Sequence, residues 1–209
     1  MNKLKYEWRK EEKELYLPKK QPVFLDVPKM CYLTIDGEGD PNEKAFQEHV
    51  AALYAAAYTI RMLPKKGLTP EGYFEYTVYP LEGEWTTKQR DAGPLDKSLF
   101  AYKIMIRQPE FVNQKLFDEI SPFLEKKLSN EQIQKLRLEE FTEGPSIQML
   151  HLGAYDTEPA SFAQMEQFAS DKGFERVSKD HKEIYLSDPR RTAPENLKTV
   201  LRFAVKQKL

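Results

Sequence analysis

One order of segments occurs twice along these 209 residues, and it restricts the fold more than any single motif does. Val23 to Ile35 reads as extended, with Pro28 marking a bulge or an edge. The turn DGEGDPNE follows. In it Asp40 offers an N-cap oxygen, Pro41 fits the first helical position and Glu43 has capping-box spacing. Phe46, Val50, Leu53, Ala57 and Ile60 then recur at three or four residues, which predicts a helix to about Met62, closed by Pro64 and Gly67. Residues 73–79 alternate as a strand, 80–97 read as a loop, and Phe100, Tyr102, Ile104 and Ile106 alternate as a second strand.

The same order returns after a helical connector over 109–140 and a linker at 141–145. Ser146 to Leu152 reads as a strand. A helix capped by Asp156 or Thr157 carries Phe162, Met165, Phe168 and Ala169, and Gly173 ends it. His181 to Ser187 and Thr199 to Val205 complete the set. The expected fold is α+β: a duplicated strand-helix-strand-strand module with a mainly antiparallel sheet and a ligand cleft at the pseudo-two-fold junction. The expected division is a charged extension over 1–22 and a single domain over 23–209. That domain has repeat one at 23–108, the connector at 109–145 and repeat two at 146–209. Leu4, Trp8 and Leu15 in the extension share a helical face, so a short docking helix there is consistent with the pattern.

Charge narrows the function. Lys and Arg total 32 against 33 Asp and Glu, a net charge of −1, which gives no surface for tracking phosphates, so no direct nucleic-acid partner is expected. No run of ~20 apolar residues occurs, so no membrane span is expected. The charged N-terminus lacks the apolar stretch of a secretory signal, and a cytoplasmic placement follows as the expectation. Cys31 is the one cysteine and reads as a plain thiol. His49, His151 and His181 lack metal-ligand spacing, so neither a metal nor a cofactor is expected.

What remains is an aromatic–carboxylate combination. Glu183 and Tyr185 are two apart on a strand and share a face, expected to point away from the helices with Tyr79. A carboxylate among rings attracts organic cations, and acts as a base where burial raises its pKa. The pattern leaves open the alternative of a solvated glutamate beside a half-exposed tyrosine.

The segments GAYDTEPASFAQMEQFASDKGF and KEIYLSDPRRTAPENLKTVLRFAV resemble the GyrI-like effector-binding family. ELYLPKKQPVFLDVP, DGEGDPN, ALYAAAYTIRM, YTVYPLEGEW and YKIMIRQPEF resemble a free-standing branch similar to cyclopropanoid hydrolases. The resemblance implies a bulky hydrophobic or cationic aromatic ligand, with Glu183 at the position of the family's cleft glutamate. For hydrolysis of a cyclopropane it implies Glu183 as base and Tyr185 or Tyr155 as donor. Tyr79 and Trp85 would be stacking walls, together with Tyr54 and Tyr58 where these are not simply core. A drug-sequestering protein and an inhibitor of a topoisomerase are the alternatives within the resemblance. The run Pro80-Leu81-Glu82-Gly83-Glu84-Trp85-Thr86 departs from the branch, with Glu84 for an apolar residue and Thr86 for a second tryptophan. Glu82 and Glu84 read there as solvated loop acids or as cation contacts.

Overall fold

A computed structural model describes residues 5–89 and 96–208. In chain order the elements are helices α1 (Trp8–Glu11) and α2 (Lys13–Tyr16), strand β1 (Val23–Glu38), helix α3 (Lys44–Arg61), and strands β2 (Leu81–Thr87) and β3 (Phe100–Gln108). Helices α4 (Gln114–Glu119), α5 (Ser121–Leu124) and α6 (Asn130–Lys135) follow. Strand β4 (Arg137–Leu152), helix α7 (Glu158–Asp171) and strands β5 (Phe174–Arg176), β6 (His181–Tyr185) and β7 (Lys198–Gln207) complete the chain. The fold is α+β with antiparallel strand pairs. The strand-helix-strand-strand order is present twice, as β1-α3-β2-β3 and as β4-α7-β6-β7 with the short β5 between.

The chain divides into two compact units. The first comprises Met1–Trp8, Met30–Leu81 and Thr87–Phe141; the second comprises Arg9–Lys29, Glu82–Thr86 and Thr142–Leu209. In the first, β1 pairs with β3 from Cys31 opposite Gln108 to Glu38 opposite Ala101. Helix α3 lies against β3, and Tyr102 meets the edge of Phe46 and bonds His49 Nδ1 at 3.1 Å.

In the second unit β6 pairs with both β2 and β7, and β7 pairs also with β4 and β5. Helix α7 buries Met165 and Ala169 against Ile147, Met149, Leu201, Phe203 and Val205. These are the inward positions of β4 and β7, because side chains two apart on a strand share a face. Each such side chain contributes roughly 1.5–3 kcal/mol of burial.

Several expectations require correction. The α3 helix starts at Lys44 rather than at Pro41, because Asp40 turns its carboxylate onto the backbone N–H of Asn42 in a local turn. Residues 73–79 form no strand: Tyr76 makes one isolated bridge to Tyr6, and the aromatic alternation serves a cluster of Tyr6, Phe74, Tyr76 and Phe111. The segment 81–87 is strand rather than loop; its acidic, glycine-containing text conceals a buried Glu82. The connector is helical only to Lys135, and residues 141–145 lie inside β4. Gly144 takes a φ of +69° there, which a glycine adopts without strain. The N-terminal segment holds two single-turn helices rather than one, and Leu4 lies outside the described residues. Among the described residues no helix is long and apolar enough to cross a membrane.

Candidate functional site in the second unit

His181, Glu183 and Tyr185 alternate along β6 and project from one face. That face meets the first turn of α7 rather than pointing away from the helices as the pattern suggested. Phe162 sets its ring edge-on to His181 at 4.7 Å, and Glu158 comes to Glu183. The turn that delivers α7 is anchored by a buried histidine. His151 bonds Ser161 Oγ through Nδ1 at 2.9 Å and donates from Nε2 to the Ala154 carbonyl at 3.1 Å. This fixes where Tyr155 and Glu158 emerge.

Around Glu183 the polar groups converge. His181 Nε2 lies 3.0 Å from Glu183 Oε1. Glu158 also hydrogen-bonds the Glu183 side chain, and Tyr185 lies beside it on the same face of the strand. Trp85, on the neighbouring β2, donates from Nε1 to the Tyr185 hydroxyl at 2.8 Å, and Tyr155 stands edge-on to Tyr185 at 6.2 Å. Gly83, opposite Glu183 in the β2–β6 register, leaves room for the Trp85 indole beside the strand. A Cβ there would stand 2.8 Å from Trp85 Nε1 and 3.2 Å from the Tyr185 hydroxyl.

The electrostatics follow from burial beside a carboxylate. Glu158 is 6% exposed, and burial, followed by the charge of Glu183, pushes its carboxyl up to about 9. At neutral pH Glu158 is therefore an acid that donates to Glu183. Burial and the same charge push Tyr155 up to about 12 and Tyr185 well above its ordinary value, so both phenols keep their protons. The result is a carboxylate ringed by donors, with aromatic walls beside it. Glu158, His181 and Glu183 offer ligand-type atoms within 4.8 Å of one another, a closeness that these hydrogen bonds account for.

A model of the GyrI-like small molecule binding domain matches residues 20–206. The chain belongs to this GyrI-like family. It is similar to a solved structure of a hydrolase from Listeria innocua, at 35% identity and a TM-score of 0.88, over 97% of this chain and 100% of that one. An uncharacterized conserved protein from the same organism matches over the same shares at 38% identity and a TM-score of 0.88. The C-terminal domain of EcmrR, at 9% identity and a TM-score of 0.51 over 90% of this chain and 98% of that one, shares the fold alone. No curated protein matches the sequence.

Of the residues singled out in sequence, this GyrI-like domain brings Trp85, Tyr155, Glu183 and Tyr185 together in the second unit. Tyr79, Tyr54 and Tyr58 belong to the first unit. There Tyr79 is buried under the Arg107 guanidinium at 4.7 Å, and Tyr54 and Tyr58 neighbour each other on α3, half-buried and exposed. Sequence reasoning missed Glu158 and His181. His181 had a legible signal, since it stands two before Glu183 on one strand. Glu158 had none, because only the packing of α7 brings it near.

The other face of β6 and β7 holds a layer the sequence did not announce. Lys182 lies 2.6 Å from Glu143 and 3.2 Å from Glu82, and Arg202 lies 3.2 Å from Glu143. Glu82 is thus neither a solvated loop acid nor an exposed cation contact. Burial holds its carboxyl above the ordinary value; burial also pushes Glu143 up, but Lys182 and Arg202 outweigh it and hold Glu143 below. Arg202 further donates to Gln148 and to the Leu15 carbonyl, and Gln148 donates to the Glu14 carbonyl. The segment read as a charged extension is thereby tied to the sheet through its backbone.

Proposed function

We propose that the domain binds bulky, flat hydrophobic or cationic small molecules and hydrolyses reactive cyclopropane-containing xenobiotics, detoxifying them. The observation that supports this reading is the pairing of a protonated Glu158 with Glu183 beside Trp85, Tyr155 and Tyr185. The hydrolase similarity at 35% identity supports the same class of reaction. In the proposed step Glu183 takes a proton from water as the water oxygen bonds to a ring methylene. The strained carbon–carbon bond breaks, and its electron pair moves through the conjugated system onto the carbonyl oxygen. Tyr155 or Tyr185 stabilises that oxyanion and supplies its proton. The proton gained by Glu183 replaces the one given up, so the site returns to its starting state.

The test is incubation with a spirocyclopropyl cyclohexadienone and mass analysis of the product. Conversion to the ring-opened hydroxyalkyl phenol, abolished in a folded Glu183→Gln variant, is the expected result. Stoichiometric binding without product overturns hydrolysis. A carboxylate beside aromatic walls also fits a second reading, sequestration of flat aromatic cations without turnover. That reading predicts tight binding weakened by Glu183→Ala.

A further inference from the structure

We propose that His181 is a positioning residue for Glu183, its Nε2–H holding the carboxylate so that one acceptor site stays directed at the reacting water. The inference rests on the hydrolytic reading above and adds a residue to it. A carboxylate has about four acceptor sites. The acid of Glu158 occupies one, and His181 occupies a second at 3.0 Å on Oε1. Two donors of fixed origin hold the carboxylate while acceptor sites stay open, and they remove the freedom of the side chain to rotate those sites elsewhere.

The tautomer follows from the contact. A bare Nε2 facing a carboxylate oxygen at 3.0 Å would set two lone pairs against each other, so the proton belongs on Nε2. The ring is in turn held by its surroundings. Phe162 packs edge-on at 4.7 Å, and residue 181 sits in β6 in register with Trp85 of β2. The side chain of His181 is 21% exposed against 11% for Glu183, so the imidazole stands on the solvent side of the carboxylate it orients. A purely structural histidine of this unit looks different: His151 is buried and bonded to a hydroxyl and a backbone carbonyl, with no carboxylate.

The experiment measures kcat and KM on the spirocyclopropyl cyclohexadienone for wild type, His181→Phe and His181→Gln, together with nitrogen NMR of the histidine rings. Loss of an orienting partner costs about 10–100-fold where that partner supports a metal ligand, and the same range is the expectation for the carboxylate. His181→Phe is expected to lose that much in kcat with KM nearly unmoved. His181→Gln, which keeps an N–H donor, is expected to recover most of it. A Phe variant as fast as wild type, or a folded Gln variant as slow as Phe, overturns the inference. The NMR spectrum is independent of turnover: a proton on Nε2 of His181 is expected, and a neutral ring protonated on Nδ1 overturns the proposed contact. A wild-type protein with no turnover at all would instead remove the hydrolytic reading.

Discussion

Replacing Glu158 by glutamine should make the domain more stable at neutral pH. Glu158 is 6% exposed, one of its oxygens has no hydrogen-bond partner, and Glu183 stands against the other. The unfolded chain releases this proton near the ordinary value of 4.5, whereas the folded chain keeps it up to about 9. Between those limits the folded state binds more protons than the unfolded state, so stability falls as pH rises. The contribution is fully present below the lower value and is lost by the upper one. At about 1.4 kcal/mol per pH unit, the cost already incurred at neutral pH is on the order of 2–3 kcal/mol, allowing for the proton being shared with Glu183. Glutamine mimics the protonated acid, donates to Glu183 in the same way and carries no such cost. The assay is urea unfolding of wild type and Glu158→Gln from about pH 5 to about pH 9. The expected result is a wild-type stability that declines with pH and a variant whose decline is shallower by close to one proton. Parallel curves, or a variant less stable at neutral pH, would show that Glu158 is ionised in the folded protein.

Three other outcomes follow from the same geometry. Lys182→Met leaves Glu82 and Glu143 short of a buried cation and should cost about 3–5 kcal/mol in urea unfolding; combining it with Glu82→Leu should restore part of that loss. Gly83→Ala places a methyl group 2.8 Å from Trp85 Nε1 and should break the Trp85–Tyr185 hydrogen bond, changing tryptophan emission and weakening binding of a flat aromatic cation roughly tenfold. Unchanged emission and affinity would show that the indole does not depend on Gly83. Glu183→Ala should weaken the same cation by a further margin, read by calorimetry, and equal affinity would remove Glu183 from the binding surface.

What the sequence made legible was periodic. The apolar spacing of α3 and α7 and the alternation in β3 and β7 match the structure, because each is a local pattern with one physical reading. What it concealed was polar burial. Glu82 and Lys182 look like solvent-facing charges, yet they meet across the β2–β6 pair, and the strand that carries Glu82 reads as a loop. Arg202 interrupts an apolar strand and finds its partners far away in sequence, at Glu143, Gln148 and Leu15. The site divides the same way. Glu183 and Tyr185 share a face by strand geometry alone, so their proximity was legible; the acid that faces Glu183 comes from the first turn of a helix packed over that face.

The most direct measurement is single-turnover reaction of the spirocyclopropyl cyclohexadienone in isotope-labelled water, with wild type and Glu183→Gln side by side. Formation of a hydroxyalkyl phenol carrying the label by wild type, and not by the folded variant, is the predicted result. Label incorporation by Glu183→Gln at the wild-type rate would contradict the assignment of Glu183 as the group that activates water.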